Sequence, residues 1–346
     1  MAQRDAVFDI CKFLIMLGVI AGHIAAYNLV DTVTVFQPYL RNVVVGVSMP
    51  AFFLMSGYFA RRKLDGCDIL GIISRISTFV WPLVSFGMVF AVVSVLLGDM
   101  RPGRAVLYPL VRLVGEGWFL RTLAIVYFMH AIVFWKVRGT LSRVFLLGIV
   151  YIVLLFLPHK RIFYWAGSVV HMFPYFTFGI LIERSLLWHK KHLASIACGI
   201  IFVLVVAFEG DVRINGMGFY WVKFSAVSCG GSITGLILHV GRTITGISGT
   251  IFLLWLIGRS VALLPWLSKV SVLGTTTLGV YVLHEYPLVK IGKMERLSVA
   301  AQWPMALVVF FACHLLIVAI NRNKWFHRFF FGDEKLVKSL ISRIDK

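Results

Sequence analysis

The opening stretch of the chain, residues 4–23, is apolar enough to cross a membrane and yet carries Asp9, Lys12 and His23 in its interior. Ionisable groups inside a spanning helix are costly to bury, so they point to function. Lys12 and His23 are eleven residues apart, close to three helical turns, and should therefore lie on nearly the same helix face, about 16 Å apart along the axis. Asp9 precedes Lys12 by three residues, within side-chain reach. One face is thus predicted to carry two opposite charges near its start and an imidazole near its far end.

The composition predicts an all-α polytopic membrane protein that forms a single domain. The chain has 346 residues, of which 60% are hydrophobic and 14% charged, whereas about 25% are charged in a typical soluble domain. Several apolar runs reach the roughly 20 residues that a spanning helix needs. The net charge of +19 is explained by basic loops on the inner side of the membrane, and no basic patch interleaved with aromatic residues predicts nucleic-acid binding. The five cysteines are scattered, without metal-ligand spacing, so neither a metal site nor a disulfide framework is expected.

Ten transmembrane spans are predicted from the apolar runs and the distribution of basic residues. The cluster Arg61-Arg62-Lys63 marks the inner side after the second span, which places both termini in the cytoplasm and makes residues 321–346 a short basic cytoplasmic tail. The predicted spans are about 10–28, 41–60, 78–98, 118–136, 143–158, 167–187, 193–208, 246–264, 271–289 and 302–320.

The segment 218–239 leaves an alternative of eleven spans. It is apolar on average but rich in Gly and Ser, and it carries Lys223. Counting it as a span would put the basic tail outside, against the charge rule. A re-entrant or interfacial stretch gives ten spans, and irregular backbone at that depth is acceptable where protein shields it or it lines a cavity. Ten is therefore favoured.

Four motifs in order resemble those of the membrane-bound acyltransferase-3 family. The first is a basic residue, ten residues and a histidine, with an acidic residue upstream, here Lys12, His23 and Asp9. Residues 50–58 (PAFFLMSGY) are similar to the P-x-F-F-x-x-S-G-[FY] pattern that ends the family's second helix. The two later motifs are Gly117-Trp118-Phe119-Leu120 followed by Tyr127, and the run 273–284 (LGTTTLGVYVLH). Together the motifs cover the chain from about 4 to 320.

The resemblance implies transfer of an acyl group, usually acetyl from acetyl-CoA, to a hydroxyl of a carbohydrate or other cell-envelope acceptor, by a ten-helix protein of the bacterial inner membrane. The W-F-L form resembles the stand-alone sugar O-acetyltransferases. Two departures concern the donor site. Lys12 stands where the family more often has arginine, so the bidentate fork is lost, and Arg75 has no second arginine before Pro82.

His23 is the candidate general base, by its position and by resemblance. An acceptor hydroxyl must lose its proton as it attacks the thioester, and an imidazole, with an unperturbed pKa of about 6.5, suits that task. Asp9 is expected to pair with Lys12 or Arg75, so that the buried charge is compensated.

The cofactor-side candidates are basic residues on the predicted inner side. Lys12, Arg75, Arg61 and Arg62 could hold the phosphates of CoA, and the pantetheine arm would then run along the bundle toward His23. A basic cluster such as that of Arg61 and Arg62 is, however, more often a topology marker than a ligand site.

The acceptor-side candidates are Trp118, Glu116, Tyr281 and His284. Trp118 lies at a predicted interface, where tryptophan is common anyway. Tyr281 and His284 share a helix face, and a packing role for His284 stays open. The alternative from another class is a proton-coupled transporter or flippase of an envelope precursor, with His23, Lys12 and Asp9 as the relay. Inverted repeats would favour that alternative, and the two halves of the sequence show no convincing match. The identity of the acceptor and the size of the acyl group are left open.

Overall fold

The computed structural model describes residues 5–26, 36–114, 117–156, 164–182, 192–211, 233–291 and 301–332. The regular elements in these ranges are helices, together with a short 3₁₀ segment at Pro265–Val270. In chain order the α-helices are α1 (Ala6–Ala26), α2 (Phe36–Leu64), α3 (Ile69–Leu96), α4 (Pro102–Ala105), α5 (Tyr108–Val114), α6 (Trp118–Lys136), α7 (Thr140–Phe156), α8 (Tyr164–Leu181), α9 (His192–Asp211), α10 (Ile233–Leu263), α11 (Ser271–Gly274), α12 (Thr277–Leu283), α13 (Glu285–Ile291), α14 (Gln302–Arg322) and α15 (Lys324–Phe331).

Among the described residues, five helical segments are long and apolar enough to cross a membrane. They are Ala6–Ile24, Ile69–Leu96, Trp118–Lys136, His239–Leu263 and Gln302–Arg322. Shorter apolar helices lie at Thr140–Phe156, Ala166–Leu181 and His192–Ala207. The prediction of an all-α membrane protein is confirmed by these segments.

The third predicted span, 78–98, belongs to a helix that begins nine residues earlier, at Ile69. The Asp68 carboxylate caps this helix by accepting a hydrogen bond of 2.8 Å from the Gly71 amide. A carboxylate at this position satisfies one of the free amides of the first turn and lets the helix start there. Pro82 therefore lies inside the helix.

The segment 218–239, predicted as a re-entrant or interfacial stretch with an eleventh span as the alternative, ends inside α10. Residues 233–239 form a continuous helix with the predicted span 246–264, and residues 218–232 lie outside the described part of the chain.

The ninth predicted span, 271–289, is not one helix: α11, α12 and α13 divide it. At the first break, three consecutive threonine hydroxyls each donate a hydrogen bond to the carbonyl oxygen three residues earlier. The distances are 2.7 Å for Thr275, 3.2 Å for Thr276 and 3.0 Å for Thr277. Such side chains compete with the helical ladder. At the second break, Pro287 lacks an amide proton and would crowd the carbonyl of Leu283 in a continuous helix.

The chain forms two compact units. The first comprises Met1–Tyr58 and Pro174–Leu315, and the second comprises Phe59–Phe173 and Leu316–Lys346. In the first unit, α1 packs against α10, the 3₁₀ segment, α11, α12 and α13. One cluster of its buried apolar side chains comprises Val7, Phe8, Ile10, Cys11, Ile15, Val47, Ala51, Met55, Ile182, Phe202, Val206, Leu254 and Ile257.

Two glycines bring α2 and α8 together within the first unit. A Cβ at Gly57 would overlap the Phe176 carbonyl oxygen, and a Cβ at Gly179 would overlap the Leu54 carbonyl oxygen. Small residues allow this close backbone approach between membrane helices. The location of Gly57 within the P-A-F-F-L-M-S-G-Y motif thus has a packing explanation.

In the second unit, α3 packs against α5, α6 and α15. Arg143, in the first turn of α7, donates to the Asp65 carboxylate at 2.6 Å. Its guanidinium also lies 4.2 Å from the centre of the Phe134 ring. These contacts join α6, α7 and the turn between α2 and α3.

Candidate functional site

A partly buried ion pair lies near the start of α1. Lys12 donates to the Asp9 carboxylate, with Nζ and Oδ1 2.9 Å apart, as their three-residue spacing predicts. Asp9 is only 7% exposed. A charge removed from water in this way needs a compensating partner, and Lys12 supplies one on the same helix.

The backbone of the same turn is in contact with the late motif 273–284. A Cβ at Gly274 would overlap the carbonyl group and the Cα of Asp9. Glycine at this position lets the backbones of α11 and α1 touch. The Asp9–Lys12 pair is thus located against the start of the late motif.

His23 and His284 meet at the other end of these two segments. Their ring centroids are 5.2 Å apart and the ring planes cross at 63°, an edge-to-face arrangement typical of packed rings. His284 is 2% exposed. Because Asp9 lies against Gly274 and His23 against His284, the first motif and the late motif run side by side in the same direction.

Two backbone carbonyls determine the hydrogen-bonding role of His284. Its Nδ1 lies 2.7 Å from the Tyr281 carbonyl oxygen and 3.3 Å from that of Val280. A carbonyl oxygen only accepts, so Nδ1 carries the proton, and in the neutral ring Nε2 is then the acceptor. Tyr281 contacts the same histidine, with ring centroids 5.6 Å apart. His284, on the face that it was predicted to share with Tyr281, is therefore in contact with both Tyr281 and His23.

The remaining sequence-predicted residues that the structure describes lie in the second unit. Arg61, Arg62, Arg75 and Trp118 belong to the second unit. Arg61 and Arg62 are exposed, and the Arg75 guanidinium lies 5.1 Å from the centre of the Phe79 ring.

Trp118 is half-buried and begins α6, with its ring centroid 6.2 Å from that of Phe119. Glu116 lies outside the described residues.

Sequence reasoning missed several polar contacts on the same elements. Gln302, the first residue of α14, donates to the Ala21 carbonyl oxygen at 2.8 Å, two residues before His23. His314 is hydrogen-bonded to the Thr276 hydroxyl at 2.7 Å. The location of Thr276 in the late motif could have marked it as a candidate site residue. No feature of the sequence points to its partner, which is thirty-eight residues away.

These features define a helical membrane protein in which the first helix carries a partly buried ion pair and two histidines from distant motifs are in contact. The chain belongs to the acyltransferase-3 family, whose model, described as an acyltransferase domain, matches residues 5–322. Comparison with curated proteins and with solved structures gives no match. The predicted resemblance is confirmed, and as a member of this family the chain is a membrane acyltransferase.

Proposed function

We propose that the chain is an O-acyltransferase that moves an acyl group, acetyl in the simplest case, from cytoplasmic acyl-CoA to a hydroxyl of a carbohydrate or other envelope acceptor. The observation that carries this proposal is the contact between His23 and His284, 5.2 Å apart between ring centroids. Membership of the acyltransferase family supports the reaction class. We further propose that the protein resides in the bacterial inner membrane with both termini in the cytoplasm.

His23 acts as the general base in this proposal. It takes the proton of the acceptor hydroxyl while the hydroxyl oxygen bonds to the thioester carbonyl carbon. The carbon–sulfur bond then breaks, and the protonated imidazole returns the proton to the CoA sulfur. The products are the acylated acceptor and free CoA.

His284 is a positioning residue for His23. Its own ring is held by the Nδ1 bond to the Tyr281 carbonyl, and it packs against the His23 ring. Holding a base within a fraction of an ångström of its working position contributes strongly to rate. Tyr281 and His284 are the proposed contacts of the acceptor, and the roles of Trp118 and Glu116 stay predictions from the sequence.

The donor is proposed to bind at the Lys12 end of α1. Lys12 lies about 16 Å from His23 along the helix axis, a span that suits the extended arm of CoA. The Lys12 ammonium would attract the phosphates of the donor, and the roles of Arg75, Arg61 and Arg62 toward the donor stay predictions from the sequence. Asp9 compensates the Lys12 charge through the 2.9 Å bond.

The test is an acyl-transfer assay with purified protein in detergent, radiolabelled acetyl-CoA and a mixed pool of envelope glycans. The wild type should release CoA and label an acceptor, and His23→Ala should abolish both. His192→Ala is the matched control, because His192 is an exposed histidine whose contact is with Trp255. Full transfer by folded His23→Ala protein would contradict the assignment of the base. Absence of donor binding and of CoA release in the wild type would contradict acyl transfer itself, and flux assays in liposomes would then test the transporter alternative.

A further inference from the structure

A cavity of about 530 Å³ lies in the second unit. Two elements, α3 and α15, form it together with the end of α14. The lining residues used below are Thr78, Asn321, Lys324, His327, Arg328 and Phe331.

The C-terminal end of α15 is hydrogen-bonded to α3 and packs against it. The Trp81 indole donates to the Phe329 carbonyl oxygen at 2.7 Å, and the Ser85 hydroxyl donates to that of Phe330 at 2.8 Å. The Phe330 ring also lies 4.4 Å from that of Phe86, between ring centroids. The last carbonyls of a helix have no partner within it, so these two bonds stabilise this wall of the cavity.

The N-terminal end of α15 is also ordered by side chains. Asn323 accepts from the Trp325 amide at 2.9 Å and caps the helix. Since a carboxamide oxygen only accepts, His327 Nδ1 donates to Asn321 Oδ1, 2.8 Å away. The His327 ring is also packed against Phe331, at 5.4 Å between ring centroids. The histidine therefore has a defined orientation in the cavity wall.

The charged side chains around the cavity are cationic. Lys324 and Arg328 are four residues apart, so they lie on one face of α15. No acidic residue lines the cavity in the part of the chain that the structure describes. Ammonium and guanidinium groups placed side by side are suited to a phosphate. Thr78 donates its proton to the Arg75 carbonyl at 2.7 Å, which leaves its oxygen as an acceptor for a hydroxyl next to that phosphate.

The cavity lies at the end of a candidate membrane span. That span, α14, ends at Arg322, and α15 begins two residues later. Trp325, Phe326 and Phe329 of α15 are exposed. A short helix with basic residues on one side and exposed aromatic rings on another is typical of the membrane interface. Lipid headgroups are found at that depth.

We propose that this cavity binds the phosphate of an acidic ligand, with the headgroup of an acidic phospholipid as the favoured source. Basic pockets at the membrane surface recognise such headgroups. A soluble phosphate ester, such as CoA, presents the same phosphate chemistry, and the experiment separates the two sources. The proposal concerns binding alone and does not depend on acyl transfer.

The experiment measures ligand binding to the full-length protein in detergent by native mass spectrometry and by thermal shift. The probes are phosphatidylglycerol, phosphatidylcholine and CoA. The test variant is Lys324→Ala with Arg328→Ala, and the control is Arg138→Ala with Arg322→Ala, which removes the same charge from exposed positions outside the cavity. The exchange of Lys324→Arg with Arg328→Lys retains the charges and should preserve binding.

The wild type should prefer phosphatidylglycerol over phosphatidylcholine, and the test variant should lose roughly tenfold in affinity or more for each charge removed. The control should bind as the wild type does. If the test variant loses CoA binding and retains phosphatidylglycerol binding, the cavity is a phosphate site for a soluble ligand. If the test variant binds phosphatidylglycerol as tightly as the wild type does, and also binds CoA as tightly as the wild type does, the proposal is overturned. A monodisperse elution profile for each variant establishes that a loss of binding is not a loss of fold.

Discussion

The carbonyl oxygen of Asp9 occupies the space into which a side chain at position 274 would point, so that Gly274 is in direct backbone contact with α1. The contact joins the turn that carries the Asp9–Lys12 pair to the beginning of the late motif. Packed interiors tolerate added volume poorly, and here the obstacle is backbone, which moves less readily than a flexible side chain.

Gly274→Ala should therefore destabilise the protein by about 1–3 kcal/mol or more and should lower acyl transfer, because α11 must move away from α1. Thermal unfolding in detergent and the acetyl-transfer assay measure the two effects. Gly148→Ala is the control, since a Cβ there meets nothing within 4 Å and alanine favours the helix. A Gly274→Ala protein as stable as the wild type would contradict the close contact.

His284→Ala is expected to lower kcat by roughly 10²-fold, because loss of the neighbouring ring lets His23 shift by an amount on the order of 1 Å. The KM for acetyl-CoA should change little, since the donor is proposed to bind at the other end of α1. Steady-state kinetics separate the two parameters.

His284→Asn is the companion variant for this prediction. Its amide can still donate a hydrogen bond to the Tyr281 carbonyl. His284→Asn should therefore be more stable to heat than His284→Ala, while its kcat stays below the wild-type value. Wild-type kcat in both folded variants would exclude a positioning role for His284.

The local part of the site could be predicted from the sequence. The three-residue spacing of Asp9 and Lys12 predicts their ion pair, and the eleven-residue spacing predicts His23 on nearly the same face. Helical periodicity is local, however, and does not say which distant segment covers that face. The motif ending at His284 suggested a role but not its contact with His23.

The run 271–289 shows why the rest could not be predicted. Its apolar composition predicts one span, yet side-chain hydroxyls and Pro287 break it into short helices. Apolarity reports burial, and it does not distinguish a straight helix from a broken one that protein shields. The bond between Thr276 and His314 depends on tertiary packing and has no signal in the spacing of either residue.

Thr276→Val should lower the free energy of unfolding by about 1–3 kcal/mol, because it leaves His314 Nδ1 buried without its hydroxyl partner. Valine has nearly the same shape as threonine, so the change reports the hydroxyl and not the volume. The measurement is thermal unfolding in detergent, compared with Thr250→Val.

Thr250 is the matched control for this substitution. It is fully buried, and its described bond is to the Gly246 carbonyl of its own helix. It should therefore lose less stability than Thr276→Val. Equal losses in the two variants would show that the Thr276–His314 bond contributes no more than a local one.

Asp9 and Lys12 should behave as a coupled pair. Lys12→Met alone leaves the buried Asp9 carboxylate without the Lys12 ammonium, and Asp9→Asn alone removes the carboxylate from a partly exposed ammonium. Removing both groups avoids these costs. The double variant should consequently be more stable than the sum of the single changes predicts, with a coupling free energy of about 0.5–3 kcal/mol. Thermal unfolding of the four proteins gives this value, and strict additivity would contradict the coupling.

The same two variants should differ in their kinetics if Lys12 binds the donor. Lys12→Met removes the charge that attracts the phosphates, so its KM for acetyl-CoA should rise. Asp9→Asn retains the ammonium and removes a nearby negative charge, so its KM should stay the same or fall. Comparing the variants at two salt concentrations tests the electrostatic origin, because added salt screens the attraction and should narrow the difference between them. A rise in KM of equal size in both variants would mean that the ion pair supports the fold of α1 and that Lys12 has no separate role toward the donor.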